Sequence, residues 1–236
     1  AINALSQNKF DEAEHLCQQV LRNSNNPDAN HIVGCLRMRE KKFDESIWTN
    51  IDSKGLRAYT KSKTIAEKAA WDFVSKNKSI KLTTINPVLV WGPGVGNHLR
   101  SASLTLFKML IEKKMPMVPK MKIPVVDVRD VSLAHICALK NKDSYGQRFL
   151  VCQGSYWMKD ICLKMKALGI DAPTIAAPSF LIRILSNFDK TMKETIPFLD
   201  YDFEIDSSRV ESVMGFKHME IEQSIEDTYN YIKQLL

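Results

Sequence analysis

The sequence predicts a layered α/β fold with an α-helical hairpin ahead of it. Three observations point that way. Residues 1 to about 42 carry helical periodicity and no strand signal. Residues 56 to 168 alternate helix and strand three times. The strand-like runs, Lys81–Asn86, Val88–Trp91, Ile123–Val128 and Phe149–Cys152, are short and rich in β-branched residues.

The first helix of the hairpin places Leu5, Phe10, Ala13, Leu16, Cys17, Val20 and Leu21 at helical spacing. Asn23–Pro27 interrupts it, and Ile32, Val33, Cys35 and Leu36 mark a second helix. Phe10-Asp-Glu-Ala13 returns 33 residues later as Phe43-Asp-Glu-Ser46. That period is similar to a tetratricopeptide repeat, with Pro27 at the turn and Gly34 as its small residue. Residues 1–42 are therefore expected to form a tetratricopeptide-like unit able to meet a protein partner, and 43–236 the α/β unit.

Beyond Phe43 comes a loop anchored by Trp48, then a helix over about 56–77 with Ala66, Ala69, Ala70 and Phe73 as its expected buried stripe. Lys81–Asn86 is a strand ended by Pro87, with Val88–Trp91 continuing it. Gly92-Pro-Gly94-Val-Gly96 lacks a third glycine at the spacing of a phosphate loop, and reads as a turn. Ser101–Lys114 is a helix with Leu104, Phe107, Met109, Leu110 and Ile111 inward. Asp130 is the expected N-cap of the next helix, and His135 is expected on its apolar side as a core histidine. A strand at Phe149–Cys152, a helix over Trp157–Leu168 and two short helices around Gly215-Phe216 complete the chain.

Composition narrows the function classes. Among 236 residues, 44% are apolar and 25% charged, as in an ordinary globular protein. The net charge of +6 is spread without a basic block, which suits an anionic ligand better than a nucleic acid. No apolar run approaches the ~18 residues of a membrane helix. The five cysteines, at 17, 35, 137, 152 and 162, include no Cys-x-x-Cys, so no metal site is expected and reduced thiols in the cytoplasm are. The chain opens on Ala1 without a Met, which leaves room for a portion upstream.

The chemistry centres on Ala58-Tyr59-Thr-Lys-Ser-Lys63-Thr-Ile-Ala-Glu67-Lys-Ala-Ala-Trp71. Tyr59 and Lys63 stand one helical turn apart on one face. A reductase that protonates a carbonyl oxygen needs such a phenol and ammonium. A free Tyr titrates near ~10. A unit charge ~4 Å away is worth ~4 kcal/mol at an effective dielectric of ~20, enough to bring the phenol toward working pH. A second Tyr-x-x-x-Lys, Tyr229 to Lys233, lies on a polar terminal helix and reads as a solvated face.

Residues 43–236 resemble the C-terminal half of an extended short-chain dehydrogenase/reductase, nearest its dihydroflavonol-reductase-like branch of aldehyde and ketone reductases. The resemblance is carried in order by Phe43–Thr49, Tyr59–Trp71, Ile85-Asn-Pro87-Val-Leu-Val90-Trp-Gly-Pro93, Val125–Val131, Gly146–Phe149 and Val213–Phe216. It implies an incomplete doubly wound Rossmann-type sheet followed by elements of a substrate domain. It implies that Tyr59 is the acid and that Lys63 both tunes it and holds the nicotinamide ribose. Pro87, Val88, Leu89 and Val90 would line the nicotinamide, and Ser101 or Ser103 would reach the cofactor. The cofactor would be NADP, or NAD, and the substrate a small carbonyl or alcohol.

The family's glycine-rich turn, which meets the pyrophosphate at a helix N-terminus, is not found in residues 1–58. Nor is its substrate-positioning Ser or Thr, since Ser53 is too near Tyr59 on the chain. The expectation is an oxidoreductase impaired when this chain acts alone. The alternative is a non-catalytic truncated or fused protein working through the helical segment.

Overall fold

The computed structural model describes residues 42–53, 56–96, 99 and 101–236. The helical hairpin expected over 1–42 lies outside the described residues, save Lys42.

A short strand, β1 (Lys42–Phe43), leads into the Trp48 loop and then α1 (Ala58–Lys76). Next come β2 (Thr83–Pro87), β3 (Leu89–Trp91) and α2 (Ala102–Ile111). After β4 (Val118–Pro119), β5 (Lys122–Asp127) and α3 (Val128–Lys140) follow, then β6 (Gln147–Val151), β7 (Gly154–Trp157) and α4 (Met158–Ala167). The remainder is β8 (Ala176–Ala177), α5 (Ser179–Leu185), α6 (Lys190–Thr195), β9 (Glu204–Ile205), α7 (Ser208–Met214) and α8 (Ile221–Lys233).

Residues 83–91 do not form one continuous strand. β2 pairs in parallel with β6, whereas β3 pairs in parallel with β5, whose other edge takes β7 antiparallel. Val88 is the crossing residue, and its N–H reaches the Val151 carbonyl at 3.3 Å. Pro87 favours such a break because proline offers no N–H to a ladder.

The period-2 geometry of strands then builds two cores back to back. Val125 of β5 packs with Trp91, Phe107 and Ile161, beneath α2, α4 and α8. Its neighbour Val126 packs on the opposite side with Phe149, Val151, Ala134 and Val210, beneath α3 and α7. Trp91 and Phe107 meet edge to face, with ring centres 5.1 Å apart.

The outer edge of β6 is closed by side chains in place of a strand. The Leu150 N–H donates to Glu45 Oε1 at 3.1 Å, the Ser207 hydroxyl donates to the Leu150 carbonyl at 2.8 Å, and the Cys152 N–H donates to Ser207 Oγ at 3.1 Å. Such closure removes a free strand edge that would otherwise template association.

Three expectations are corrected. The small-residue face of α1 is not buried: Ala66, Ala69 and Phe73 are exposed and Ala70 half-buried. The inward face is Thr60, Thr64, Glu67, Trp71 and Val74, because Glu67 is drawn to a polar cluster on the sheet. Asp127, not Asp130, caps α3: its carboxylate accepts from the Arg129 N–H at 2.9 Å, while Asp130 accepts from the Met219 N–H at 3.0 Å. His135 is exposed and not a core residue; the buried face of α3 runs through Ala134 and Ala138, and His135 turns back to the Val131 carbonyl at 2.8 Å.

Candidate functional site

α1 presents Tyr59 and Lys63 on its exposed side. Tyr59 is 72% exposed, and Lys63 Nζ lies 5.5 Å from the centre of its ring, as one helical turn of separation dictates. The start of the helix is tied to the C-terminal elements. Arg57 donates to the Glu194 carbonyl at 3.1 Å and lies over the Phe198 ring.

One turn beyond Lys63, Glu67 joins the helix to the sheet. Its Oε1 accepts from Arg148 Nε at 2.7 Å, Thr84 Oγ1 at 2.9 Å, Asn86 Nδ2 at 3.3 Å and Trp71 Nε1 at 3.3 Å, and its Oε2 accepts from Arg148 Nη2 at 3.1 Å. Burial pushes the Glu67 carboxyl up, but the hydrogen bonds from Arg148, Thr84 and Trp71 outweigh that and hold it below the usual range. Arg148 is gripped in turn: its guanidinium stacks on Trp48 at 3.7 Å and donates to the Glu45 carbonyl at 2.5 Å. Sequence reasoning missed this hub. Glu67 could have been found, since it stands four after Lys63 on one face. Arg148 could not, because 81 residues separate it from Glu67.

Asn86 leads directly into Pro87, the exposed end of β2, and then into half-buried Val88, Leu89 and Val90 at the crossing between sheets. Ser101 caps α2 by accepting from the Ser103 N–H at 3.2 Å, and Ser103 is half-buried in the first turn.

The Gly92–Gly96 turn is a docking surface for α8. The Thr228 hydroxyl accepts from the Gly92 N–H at 2.7 Å, and the Tyr231 hydroxyl donates to the Gly96 carbonyl at 2.8 Å. A Cβ on Gly94 would meet the Tyr231 hydroxyl at 2.6 Å. Close packing thus accounts for Gly92 and Gly94. Beneath the turn lies Asp127, 1% exposed, held by Arg129 Nε at 2.8 Å and the Ser224 hydroxyl at 2.6 Å, with Arg129 reaching on to Asp227 at 2.7 Å. The described residues thus set a phenol and an ammonium on a helix bonded through Glu67 to the strand ahead of Pro87, polar groups of the kind a ribose could meet, and include no glycine cradle for a pyrophosphate.

Among the described residues, no helix is long and apolar enough to cross a membrane. No cluster of metal-ligand type occurs among them either.

Parallel pairing of β2 with β6 and of β3 with β5, with helices packed on the strands, is the Rossmann-like arrangement of a dinucleotide-binding class of proteins. Within that class the chain belongs to the 3-beta hydroxysteroid dehydrogenase/isomerase family, whose profile matches residues 37–169. The NADPH-dependent methylglyoxal reductase of Saccharomyces cerevisiae is 29% identical over 205 residues, which cover 84% of this chain and 57% of that protein. A cinnamoyl-CoA reductase of Medicago truncatula is 36% identical over 110 residues, covering 46% of this chain and 33% of that one. Among solved structures, Gre2 from Candida albicans superposes with a TM-score of 0.61 at 29% identity, covering 83% of this chain and 59% of that one. Vestitone reductase from alfalfa, Medicago sativa, shares the fold with a TM-score of 0.63 at 22% identity, covering 83% of this chain and 59% of that one. The chain thus spans a little over half the length of the yeast reductase.

Proposed function

We propose that this chain carries the proton-transfer half of an NADP(H)-dependent oxidoreductase acting between a small carbonyl and the corresponding alcohol. The observation that carries the reading is the exposed Tyr59–Lys63 pair, on a helix tied through Glu67 to the strand that enters Pro87–Val90. The preference for NADP follows the NADPH-dependent relatives.

The bound nicotinamide would supply the hydride to the carbonyl carbon. Tyr59 donates its phenolic proton to the carbonyl oxygen as negative charge develops there, and regains one from solvent. Lys63 stabilises the phenolate left behind and offers its ammonium to the ribose hydroxyls. Pro87, Val88, Leu89 and Val90 would line the nicotinamide, and Ser103, in the first turn of α2, would reach the cofactor. A glycine-rich pyrophosphate turn is not among these 236 residues, so this chain alone is expected to bind cofactor weakly and turn over slowly.

The test is a fluorescence titration of the purified chain with NADPH, beside Tyr59→Phe and Lys63→Ala. Saturable binding weakened by Lys63→Ala supports the reading. Absence of binding up to millimolar NADPH overturns it.

A further inference from the structure

Across its 19 residues, α1 has no buried side chain. Its side-chain hydrogen bonds to the sheet converge on Glu67. An apolar contact is non-directional, and a helix resting on one can turn or slide at little cost. A carboxylate in the fork of an arginine admits one geometry. Glu67 makes that contact with Arg148, and the same carboxylate also takes Thr84 and Asn86 of β2. Tyr59, Lys63 and Glu67 follow each other at intervals of four, each about 40° further round the helix, so the row runs from the exposed side at Tyr59 to the sheet-facing side at Glu67. Asn86 immediately precedes Pro87. One carboxylate thus links the helix bearing the proton-transfer pair to the strand leading into the nicotinamide wall. Arg148 cannot drift, because Trp48 covers its guanidinium and the Glu45 and Ile47 carbonyls accept from it.

We infer that Glu67 is a positioning residue: clamped by Arg148 and bonded to Thr84 and Asn86, it sets the rotation and height of α1, and so places Tyr59 and Lys63 against the Pro87–Val90 segment. The inference rests on the oxidoreductase reading for its catalytic meaning. The link itself is independent of that reading. Misplacement of a reacting group by about 1 Å is enough to cost on the order of a hundredfold in rate.

The test compares the full chain with Glu67→Gln, Thr84→Val, Lys63→Ala and the double variant Glu67→Gln/Lys63→Ala. Each is titrated with NADPH, melted, and followed by amide hydrogen exchange without cofactor. The expected result is that Glu67→Gln weakens NADPH binding by roughly tenfold. The double variant should bind no worse than Lys63→Ala, because Glu67 acts through the pair. Thr84→Val should show the same effect in smaller measure with an unchanged melt. NADPH binding by Glu67→Gln equal to that of the wild type, or additive losses in the double variant, would overturn the inference and leave the oxidoreductase reading standing. If the wild type itself fails to bind NADPH, that reading falls and the exchange data decide the link. Faster exchange in α1 and in Val88–Trp91 together, on changing Glu67 or Thr84, would uphold it. Faster exchange confined to α1, or none, would overturn it.

Discussion

Lys233 Nζ lies 5.6 Å from the centre of the Tyr229 ring, the same relation that Lys63 bears to Tyr59 at 5.5 Å. The spacing of four makes this contact on any helix, so the contact cannot mark a site. The surroundings do. Tyr229 is half-buried against the core under α8, contrary to the solvated face expected for it, because Ile225, Thr228 and Ile232 drive that helix into the core. Tyr59 is open. Tyr229→Phe and Lys233→Ala should therefore leave the NADPH titration unchanged, and Lys233→Ala should lower stability by no more than about 1 kcal/mol, the worth of an exposed cation–π contact. Fluorescence titration and urea denaturation check both.

The glycine turn makes a sharper prediction. Gly92 has φ +104°, and a Cβ there would lie 2.9 Å from both carboxylate oxygens of Asp127. Gly92→Ala should destabilise by about 2–4 kcal/mol through strain and overpacking. At Gly94 the nearest obstacle is the Tyr231 ring, the end of a movable side chain. Gly94→Ala should cost about 1 kcal/mol, and much less in a Tyr231→Ala background. A double-mutant cycle by urea denaturation reads the difference.

Stability should fall on acidification through two carboxylates. Burial pushes the Asp127 carboxyl up, but Arg129 and Ser224 outweigh it and hold it below the usual range. Lys42 and Ser208 hold Asp206 down to about 2. A depressed native value means that the stabilisation is complete above the unfolded carboxylate value of about 4 and is lost as pH falls through the native one. Asp206→Asn should flatten the stability curve between about pH 4 and pH 2. Asp127→Asn should likewise lessen the loss of stability below about pH 4, and also cost about 3 kcal/mol at neutral pH, by leaving a buried ion-pair network broken. Urea midpoints from pH 2 to pH 7 measure both.

Thiol reactivity should rank by burial. Removal from water pushes the Cys152 thiol to about 12 and the Cys162 thiol to about 11, so neither is a thiolate near neutrality. Cys137 is half-buried. Of the three cysteines among the described residues, iodoacetamide at pH 8 should modify Cys137 first in native protein, and Cys152 and Cys162 only on unfolding, as peptide mapping by mass spectrometry would show.

Much of the α/β unit was legible in the sequence because its signals are local. The helix over Met158–Ala167 was placed to within a residue at each end. The turn at Gly92–Gly96 was read as a turn, and α8 supplies the contacts that explain its glycines. The errors were of facing, of capping and of strand continuity. Ala66, Ala69 and Phe73 have the small and apolar character of a buried stripe, yet the helix turns its Glu67 side to the sheet. Asp130 has the makings of a cap, yet Asp127 takes the role three residues earlier.

By itself, the sequence determined what depends on neighbours a few residues apart: the alternation of helix and strand, the break at Pro87, and the one-turn spacing of Tyr59 and Lys63. Those follow from backbone geometry, which repeats wherever the residues occur. Only the tertiary structure decided which face of α1 meets the sheet, that Val88 passes from one sheet to the other, and that Arg148 closes on Glu67. These depend on the path of the chain between distant positions, and a polar contact as directional as Glu67–Arg148 overrides the apolar pattern that local reading relies on.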